Sequence, residues 1–203
     1  PTKGWKNYDN SVAVRIARFS YFNYLFWKFG LYSKTQYDFI SYLKNTDILW
    51  ANGVNNIPEA NSSVDILYSC HMLEHLDRNE ATLFLAEVRR VLRSGGIVRL
   101  AVPDIKDQID SYNRNKDADK FIEETLLTRN KPKKLGAILK YLIIGDRQHQ
   151  WMYDGRSLCK LLYESGFNEP RILEAGHTTI QDPGFLDLKE RSPGTVYAEA
   201  YNP

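Results

Sequence analysis

Two short polar clusters carry side chains that can accept a proton or hold a hydroxyl group. Ser69-Cys70-His71 closes one apolar run of the sequence, and Pro103-Asp104 closes another. The neutral imidazole of His71 can accept a proton near neutral pH, and the carboxylate of Asp104 can orient a hydroxyl. Each residue also has a structural alternative, His71 as a pocket wall or hydrogen-bond donor and Asp104 as the cap of a following helix.

Two apolar runs predict the strands that would position these clusters. Val64 to Tyr68 is broken only by Asp65, as in a strand covered on both faces. Ile97 to Val102 alternates and then runs apolar into Pro103. Between them, Asp77 followed by Glu80 is a capping-box pattern that predicts the start of a helix. Ligands bind at the carboxyl ends of the strands in open α/β sheets, so we expect both clusters at one such edge.

Further elements extend this α/β pattern toward the C-terminus. We expect Gly95 to end the helix that follows Asp77, and Asp154 to cap another helix that ends at Gly166. The last two strands are predicted at Arg171 to Glu174 and, antiparallel, at Thr195 to Tyr201.

The N-terminal quarter is the most aromatic part of the chain. Val12 to Phe29 is almost continuously apolar and predicts one helix. Its aromatic part, Phe19 to Phe29, could pack in the core, cover an acceptor as a lid, or dock on a membrane or partner. The other elements predicted here are a strand at Trp5 to Tyr8 ending at Asp9, a helix at Lys34 to Leu43, a strand at Ile48 to Trp50 and a turn at Asn52-Gly53.

The element order predicts a Rossmann-like α/β sandwich of three layers, with a mostly parallel sheet and an antiparallel C-terminal strand. A chain of 203 residues fits one domain over 1–203, with a helical insertion at about 107–150. The insertion contains the basic run Lys131 to Lys134, which is either a solvated surface or a site for an anionic acceptor.

Composition excludes several classes of function. With 27 basic and 25 acidic residues, the chain lacks the charge expected of a nucleic-acid binder. Cys70 and Cys159 show neither disulfide density nor zinc-ligand spacing, so we expect a reducing, cytoplasmic setting and no metal site. No apolar stretch reaches the roughly 20 residues that span a bilayer, which leaves only peripheral membrane contact open.

Four further residues are candidates for contacts with a substrate. His75 lies at a helix entry, where satisfying backbone groups is the structural alternative to catalysis. His149, Trp151 and Tyr153 precede a helix, where a sugar-like or aromatic acceptor could stack, although packing of Trp151 in the core is the alternative.

The order of these elements and the residues at their junctions resemble the class I S-adenosylmethionine-dependent methyltransferases, specifically the small bacterial type 11 group. The matching text is Gly4-Trp5-Lys6-Asn7-Tyr8-Asp9, Ile57-Pro58, Asn61-Ser62-Ser63-Val64-Asp65, Ser69 through Leu76, Glu87 through Leu92, Gly95-Gly96, Val102-Pro103-Asp104, His149 through Tyr153 and Val196 through Ala200. It extends over most of the chain, and the part from Val64 to Asp104 is the most specific.

The resemblance implies S-adenosylmethionine as cofactor and a small-molecule or glycan acceptor, methylated at oxygen, in a context of polysaccharide biosynthesis. It assigns the ribose hydroxyls to Asp9, adenine to Asn52 with Gly53 beside it, and the methionine moiety to Ser69 and Cys70. Cys70 is then a small apolar wall.

One family feature, the glycine-rich turn after the first strand, is absent from these residues, and we expect it upstream of Pro1. If the native protein lacks that turn, a catalytically silent binding or scaffold module is the alternative. A nucleotide-dependent oxidoreductase would need a dinucleotide fingerprint near its first strand.

Overall fold

The computed structural model describes residues 1–31, 33–127 and 148–203, with the backbone alone at positions 20–22. The chain divides into two compact units, of which the described parts are 1–31 with 33–52, and 53–127 with 148–203. The basic run Lys131 to Lys134 and most of the second half of the predicted insertion lie outside the described residues.

The described part of the N-terminal unit contains two short strands and three helices. Strands β1 (Asn7–Asp9) and β2 (Ile48–Trp50) pair in parallel. The helices are α1 (Val12–Ala17), α2 (Ser20–Lys28) and α3 (Lys34–Leu43). The buried side chains of the unit come mainly from α1 and α3: Ala13, Val14, Ala17, Ile40 and Leu43.

The single helix predicted from Val12 to Phe29 is wrong, because the helix breaks between α1 and α2. Phe19 has φ −115° and ψ 72°, outside the helical region, and its side chain is 61% exposed. A segment that is apolar on every side has no single face to bury, so its composition alone does not specify one continuous helix.

The C-terminal unit is built on a four-stranded sheet in the order β3-β4-β6-β5. Its strands are β3 (Val64–Cys70), β4 (Leu92–Pro103), β5 (Asn168–Leu173) and β6 (Thr195–Tyr201). Strand β4 is parallel to β3, and β6 is antiparallel to both β4 and β5. Three strands therefore share one direction and the last strand opposes them, which confirms the predicted mostly parallel sheet.

The described part of the C-terminal unit also contains four helices and a short 3₁₀ turn (Leu73–His75). The helices are α4 (Arg78–Val91), α5 (Ile105–Asn115), α6 (Ala118–Thr125) and α7 (Gly155–Glu164). The predicted capping box is present at α4, where Asp77 Oδ1 accepts from the Glu80 amide and Glu80 Oε2 accepts from the Asp77 amide. Asp154 likewise caps α7.

Helix α4 ends at Val91, four residues before the predicted end at Gly95. The side-chain amide of Asn202 donates to the carbonyl of Leu92 at 2.8 Å and reaches those of Arg89 and Arg93 at 3.3 Å. These bonds satisfy carbonyls that would otherwise be left unpaired at a helix end. A residue at the far end of the chain therefore sets this boundary.

The two faces of the C-terminal sheet are covered differently. Helices α4 and α7 share a core with alternate residues of β4 and β6, including Val98, Leu100, Val102, Ala198 and Ala200. The opposite face carries Arg99, Tyr197 and Glu199 and is covered by an irregular segment at about 177–190.

A fully buried ion pair lies under this irregular segment. Arg99 Nη1 donates to Glu199 Oε1 at 2.6 Å, and the two side chains are 0% and 1% exposed. Glu199 also accepts from the side chains of Thr178 and Thr179 and from the Thr179 amide. Burial alone would raise the pKa of Glu199, but these hydrogen bonds together lower it.

No helix within the described residues is long and apolar enough to cross a membrane.

Candidate functional site

His71 and Asp104, the two predicted catalytic residues, lie at the same edge of the C-terminal sheet. His71 directly follows β3, and its Nε2 lies 3.1 Å from Oγ1 of Thr195, the first residue of β6. Asp104 directly follows β4, and its amide donates to the carbonyl of Gly194 at 3.0 Å. Both predicted residues therefore contact the chain where β6 begins. This agrees with the parallel pairing of β3 and β4, which places the carboxyl ends of both strands at one edge.

The backbone of His71 adopts a conformation that non-glycine residues rarely take. Its φ of 47° lies in the left-handed region, and its amide is fixed by a 2.8 Å hydrogen bond to the carbonyl of Ala101. Such conformations persist only where the surroundings hold them, and they cluster at functional sites.

The ring of His71 is held from two sides. Nε2 contacts Thr195 Oγ1, whose hydroxyl also donates to the Arg191 carbonyl at 2.9 Å, while Nδ1 lies 3.5 Å from Glu74 Oε1. Burial, followed by the charges of Arg191 and the two nearby histidines, lowers the pKa of His71 to about 4. The imidazole is therefore neutral at pH 7.

Glu74 is the residue of this site whose importance the sequence analysis missed. Its side chain is 1% exposed, and neither carboxylate oxygen has a hydrogen-bond partner among the described residues. Burial raises its pKa. A signal for Glu74 was present in the sequence: it has His75 next to it and His71 three residues earlier, and it lies between Leu73 and Leu76. The structure buries both leucines.

His75 and His149 lie close together beside Glu74. Their ring centroids are 5.2 Å apart. Nδ1 of His75 lies 3.0 Å from the Gln148 carbonyl, and Nδ1 of the buried His149 lies 3.2 Å from Met152 Sδ. Burial is the main cause that lowers the pKa of His149. The two predicted substrate-binding histidines are therefore neighbours.

The two predicted aromatic contacts have different surroundings. Trp151 is 45% exposed, with the Arg78 guanidinium 5.1 Å above its ring, so the core-packing alternative for Trp151 is wrong. Tyr153 is fully buried in the main core. Its backbone carbonyl, which accepts from the Ile105 amide at 3.0 Å, is the part that lies beside Asp104.

Asp104 is a helix cap, as one of its two alternatives proposed. Its Oδ1 accepts from the Lys106 amide at 2.9 Å, at the start of α5. Burial raises its pKa, and the charges of Asp107 and Asp154 act in the same direction. An additional contact with an acceptor hydroxyl stays a prediction.

Ser69 and Cys70 are the last two residues of β3. Ser69 is buried and Cys70 is half-buried. Burial raises the pKa of Cys70 to about 11, so the thiol is protonated at neutral pH. The side chain of Cys70 therefore has the low reactivity expected of an apolar wall.

The remaining cofactor candidates are Asp9, Asn52 and Gly53. Asp9 ends β1 and is exposed, and its Oδ1 accepts from the Ser11 amide at 2.6 Å. Asn52 is half-buried after β2, and a side chain at Gly53 would approach the ring of Phe84 to 3.2 Å. A cleft of about 440 Å³ in the N-terminal unit, lined by residues such as Trp5 and Leu43, includes none of the three. Their contacts with the cofactor stay predictions.

Comparisons with known proteins show which family a part of the chain resembles. Residues 34–100 match the family model described as Methyltransferase domain. A search of curated proteins finds no match.

Several solved structures resemble the chain at low sequence identity. One, from Thermotoga maritima, is described as an S-adenosylmethionine-dependent methyltransferase and possible histamine N-methyltransferase; it is 15% identical over 84% of this chain and 70% of that one, with a TM-score of 0.47. S-adenosylmethionine-dependent methyltransferases from Archaeoglobus fulgidus and Methanosarcina mazei are 12% and 18% identical, covering 78% and 77% of this chain and 68% and 66% of theirs, with TM-scores of 0.43 and 0.44.

The family match covers about a third of the chain, from the first residue of α3 into β4. It includes the end of β3 and the turn with His71, Glu74 and His75. Over residues 34–100 the chain is therefore similar to the methyltransferase domain family.

Proposed function

We propose that this chain is an S-adenosylmethionine-dependent methyltransferase that transfers a methyl group to an oxygen of a small or carbohydrate-like acceptor, at the edge where β3, β4 and β6 meet. The observation that carries the proposal is the 3.1 Å contact of His71 with Thr195 next to Asp104. Methylation of a poorly acidic hydroxyl needs a group that takes its proton, and two candidates lie at this edge.

Methyl transfer is an in-line displacement in which the acceptor oxygen forms the new bond to the methyl carbon as the bond to the sulfonium sulfur breaks. The products are the methyl ether, S-adenosylhomocysteine and the proton of the hydroxyl. Alignment of the two reactants in a water-poor pocket supplies most of the acceleration. Ser69 and Cys70 would line the methionine moiety, while Asp9 would hold the ribose and Asn52 with Gly53 the adenine.

His71 is the candidate at this edge that we propose takes the proton. In the structure the Thr195 hydrogen goes to the Arg191 carbonyl, so Thr195 Oγ1 accepts from Nε2 of His71. In the other tautomer, with hydrogen on Nδ1 toward Glu74, Nε2 would present a lone pair to an acceptor hydroxyl. An acceptor hydroxyl that replaced Thr195 there would find a neutral imidazole in hydrogen-bond reach, and Asp104 would orient it. His75, His149, Trp151 and Tyr153 complete the proposed acceptor contacts, of which the exposed Trp151 is the most accessible.

Calorimetric titration with S-adenosylhomocysteine tests the cofactor part of this proposal. We expect one molecule bound per chain and at least a tenfold loss of affinity in Asp9→Ala, because a hydrogen bond to a charged group contributes about 1.5–3 kcal/mol. Asp38→Ala, which removes an exposed carboxylate of α3, is the control and should bind normally. Unchanged affinity in Asp9→Ala would remove Asp9 from the site.

A methyl-transfer assay with labelled S-adenosylmethionine tests the acceptor class. Sugars, nucleotide sugars and phenols would be compared with amines of similar size. We expect labelled hydroxyl compounds, and we expect His71→Gln to bind S-adenosylhomocysteine normally while turnover falls by about 10²- to 10⁴-fold. His177→Gln, at an exposed histidine, is the matched control. Exclusive labelling of amines would overturn O-methylation.

A further inference from the structure

We propose that Glu74, His75 and His149 form a binding site for a divalent transition-metal cation of the zinc class. One ligand atom from each residue lies within 4.8 Å of the other two, and Nε2 of His75 is 3.9 Å from Glu74 Oε1. Ligand atoms around a tetrahedral ion with bonds of about 2.1 Å lie roughly 3.4 Å apart. Small side-chain rotations would therefore close the cluster around an ion.

Independent support comes from the unsatisfied carboxylate of Glu74. It is 1% exposed, and both oxygens lack a hydrogen-bond partner among the described residues. A buried carboxylate without a hydrogen-bond partner is costly, because the His71 imidazole, with Nδ1 3.5 Å from Oε1, replaces little of the hydration that the carboxylate has lost. A cation bound beside it would neutralise the charge and satisfy its oxygens.

His75 is already oriented as a metal ligand would be. The Gln148 carbonyl, at 3.0 Å from Nδ1, can only accept, so Nδ1 carries the hydrogen and Nε2 has a lone pair. Nε2 is the atom that lies near Glu74. A ring nitrogen bonded to a backbone carbonyl, with the other nitrogen free for the ion, is the usual second-shell arrangement of metal-bound histidine.

The backbone holds the two halves of the cluster together. The carbonyl of Glu74 accepts from the amides of Gln150 at 2.7 Å and Trp151 at 3.2 Å. The amide of His149 donates to the Leu126 carbonyl at 3.1 Å. The segment that carries His149 is therefore fixed against the turn that carries Glu74 and His75. These backbone hydrogen bonds keep the three ligand residues close to one another.

The donor set selects the class of ion. Two imidazoles and one carboxylate suit zinc and its divalent neighbours such as Co²⁺, whereas Ca²⁺ and Mg²⁺ prefer all-oxygen sites. The sequence did not suggest this site because 73 residues separate His75 from Gln148 and the segment beside it. This inference concerns ion binding itself, so it stands whether or not the acceptor is a hydroxyl compound.

Titration of metal-free, tag-free protein with Zn²⁺ by calorimetry tests the site, and Co²⁺ provides an optical signal. We expect one ion per chain and a Co²⁺ spectrum of nitrogen and oxygen coordination. Loss of a second-shell contact lowers metal affinity roughly 10- to 100-fold. Glu74→Gln and His75→Gln each remove a ligand, so each should lower the affinity for the ion by more than that. His177→Gln, which changes an exposed histidine, should keep the affinity of the parent.

Circular dichroism would show whether each variant is folded. If Glu74→Gln does not fold, X-ray absorption at the zinc edge on the unaltered protein still decides the matter, because it must show two imidazoles. The proposal is overturned if the parent protein binds no ion at millimolar concentration. It is also overturned if both ligand variants fold and bind as tightly as the parent, or if zinc shows fewer than two imidazole ligands.

Discussion

Two carboxylates of the C-terminal unit, Glu199 and Glu74, are equally buried, each 1% exposed, but their surroundings are opposite. Glu199 accepts hydrogen bonds from Arg99, Thr178 and Thr179, and its pKa is lowered. Glu74 has no hydrogen-bond partner among the described residues, and its pKa is raised. A buried charge whose hydrogen bonds are complete stabilises the fold, whereas a buried carboxylate beside histidines that lacks a hydrogen-bond partner is what we expect of a functional site.

The largest expected effect is on stability. Glu199→Gln should lower the free energy of unfolding by about 3–5 kcal/mol, because it leaves the buried Arg99 guanidinium uncompensated. Glu74→Gln, which removes no hydrogen bond within the described residues, should change it by less than about 1 kcal/mol. Urea denaturation measures both. A greater loss in Glu74→Gln would contradict the contrast between the two carboxylates.

The same ion pair predicts sensitivity to acid. The pKa of Glu199 in the folded protein lies below its ordinary value of 4.5, so its stabilising contribution is present above that value and is lost as the pH falls below it. Denaturation between pH 6 and 3 should therefore show a steeper loss of stability in the parent protein than in Glu199→Gln. Parallel curves would mean that other groups cause the acid sensitivity.

A smaller effect is expected for two helix-capping residues, Asp77 away from the candidate site and Asp104 within it. Asp77→Ala and Asp104→Ala each remove the cap of a helix, α4 or α5, and should each cost about 1 kcal/mol of stability. Methyl transfer should decrease in Asp104→Ala beyond what Asp77→Ala shows. Equal turnover in the two variants would leave Asp104 with its capping role alone.

The smallest expected effect concerns Cys70. Because burial raises its pKa to about 11, alkylation by iodoacetamide at pH 8 should be much slower than for an unhindered cysteine peptide. Cys159, whose pKa burial also raises, should behave similarly, and peptide mass spectrometry distinguishes the two sites. Rapid alkylation of Cys70 would show that its thiol is ionised at pH 8, which would contradict its assignment as an apolar wall.

Elements specified by local patterns could be predicted from the sequence. The bounds of α3, β2 and β6 match those predicted, because capping, turn and alternation signals lie within or beside each element. The end of α4 and the break between α1 and α2 could not be predicted. The first depends on Asn202, more than 100 residues away, and the second on an aromatic segment without a single apolar face.

The candidate site also has a part that local sequence patterns predict and a part that depends on long-range packing. Strand direction alone predicts that the residues after β3 and β4 share an edge, and His71 and Asp104 do so. The burial of Glu74 and the approach of His149 to His75 depend on how the segment after residue 147 packs against the turn. No spacing rule along the chain contains that information.

A crystal structure of the protein with S-adenosylhomocysteine tests the central claim most directly. We predict the thioether sulfur next to Ser69 and Cys70, facing the edge formed by His71, Thr195 and Asp104, with the Asp9 carboxylate on the ribose hydroxyls. S-adenosylhomocysteine bound away from the carboxyl ends of β3 and β4 would contradict the account.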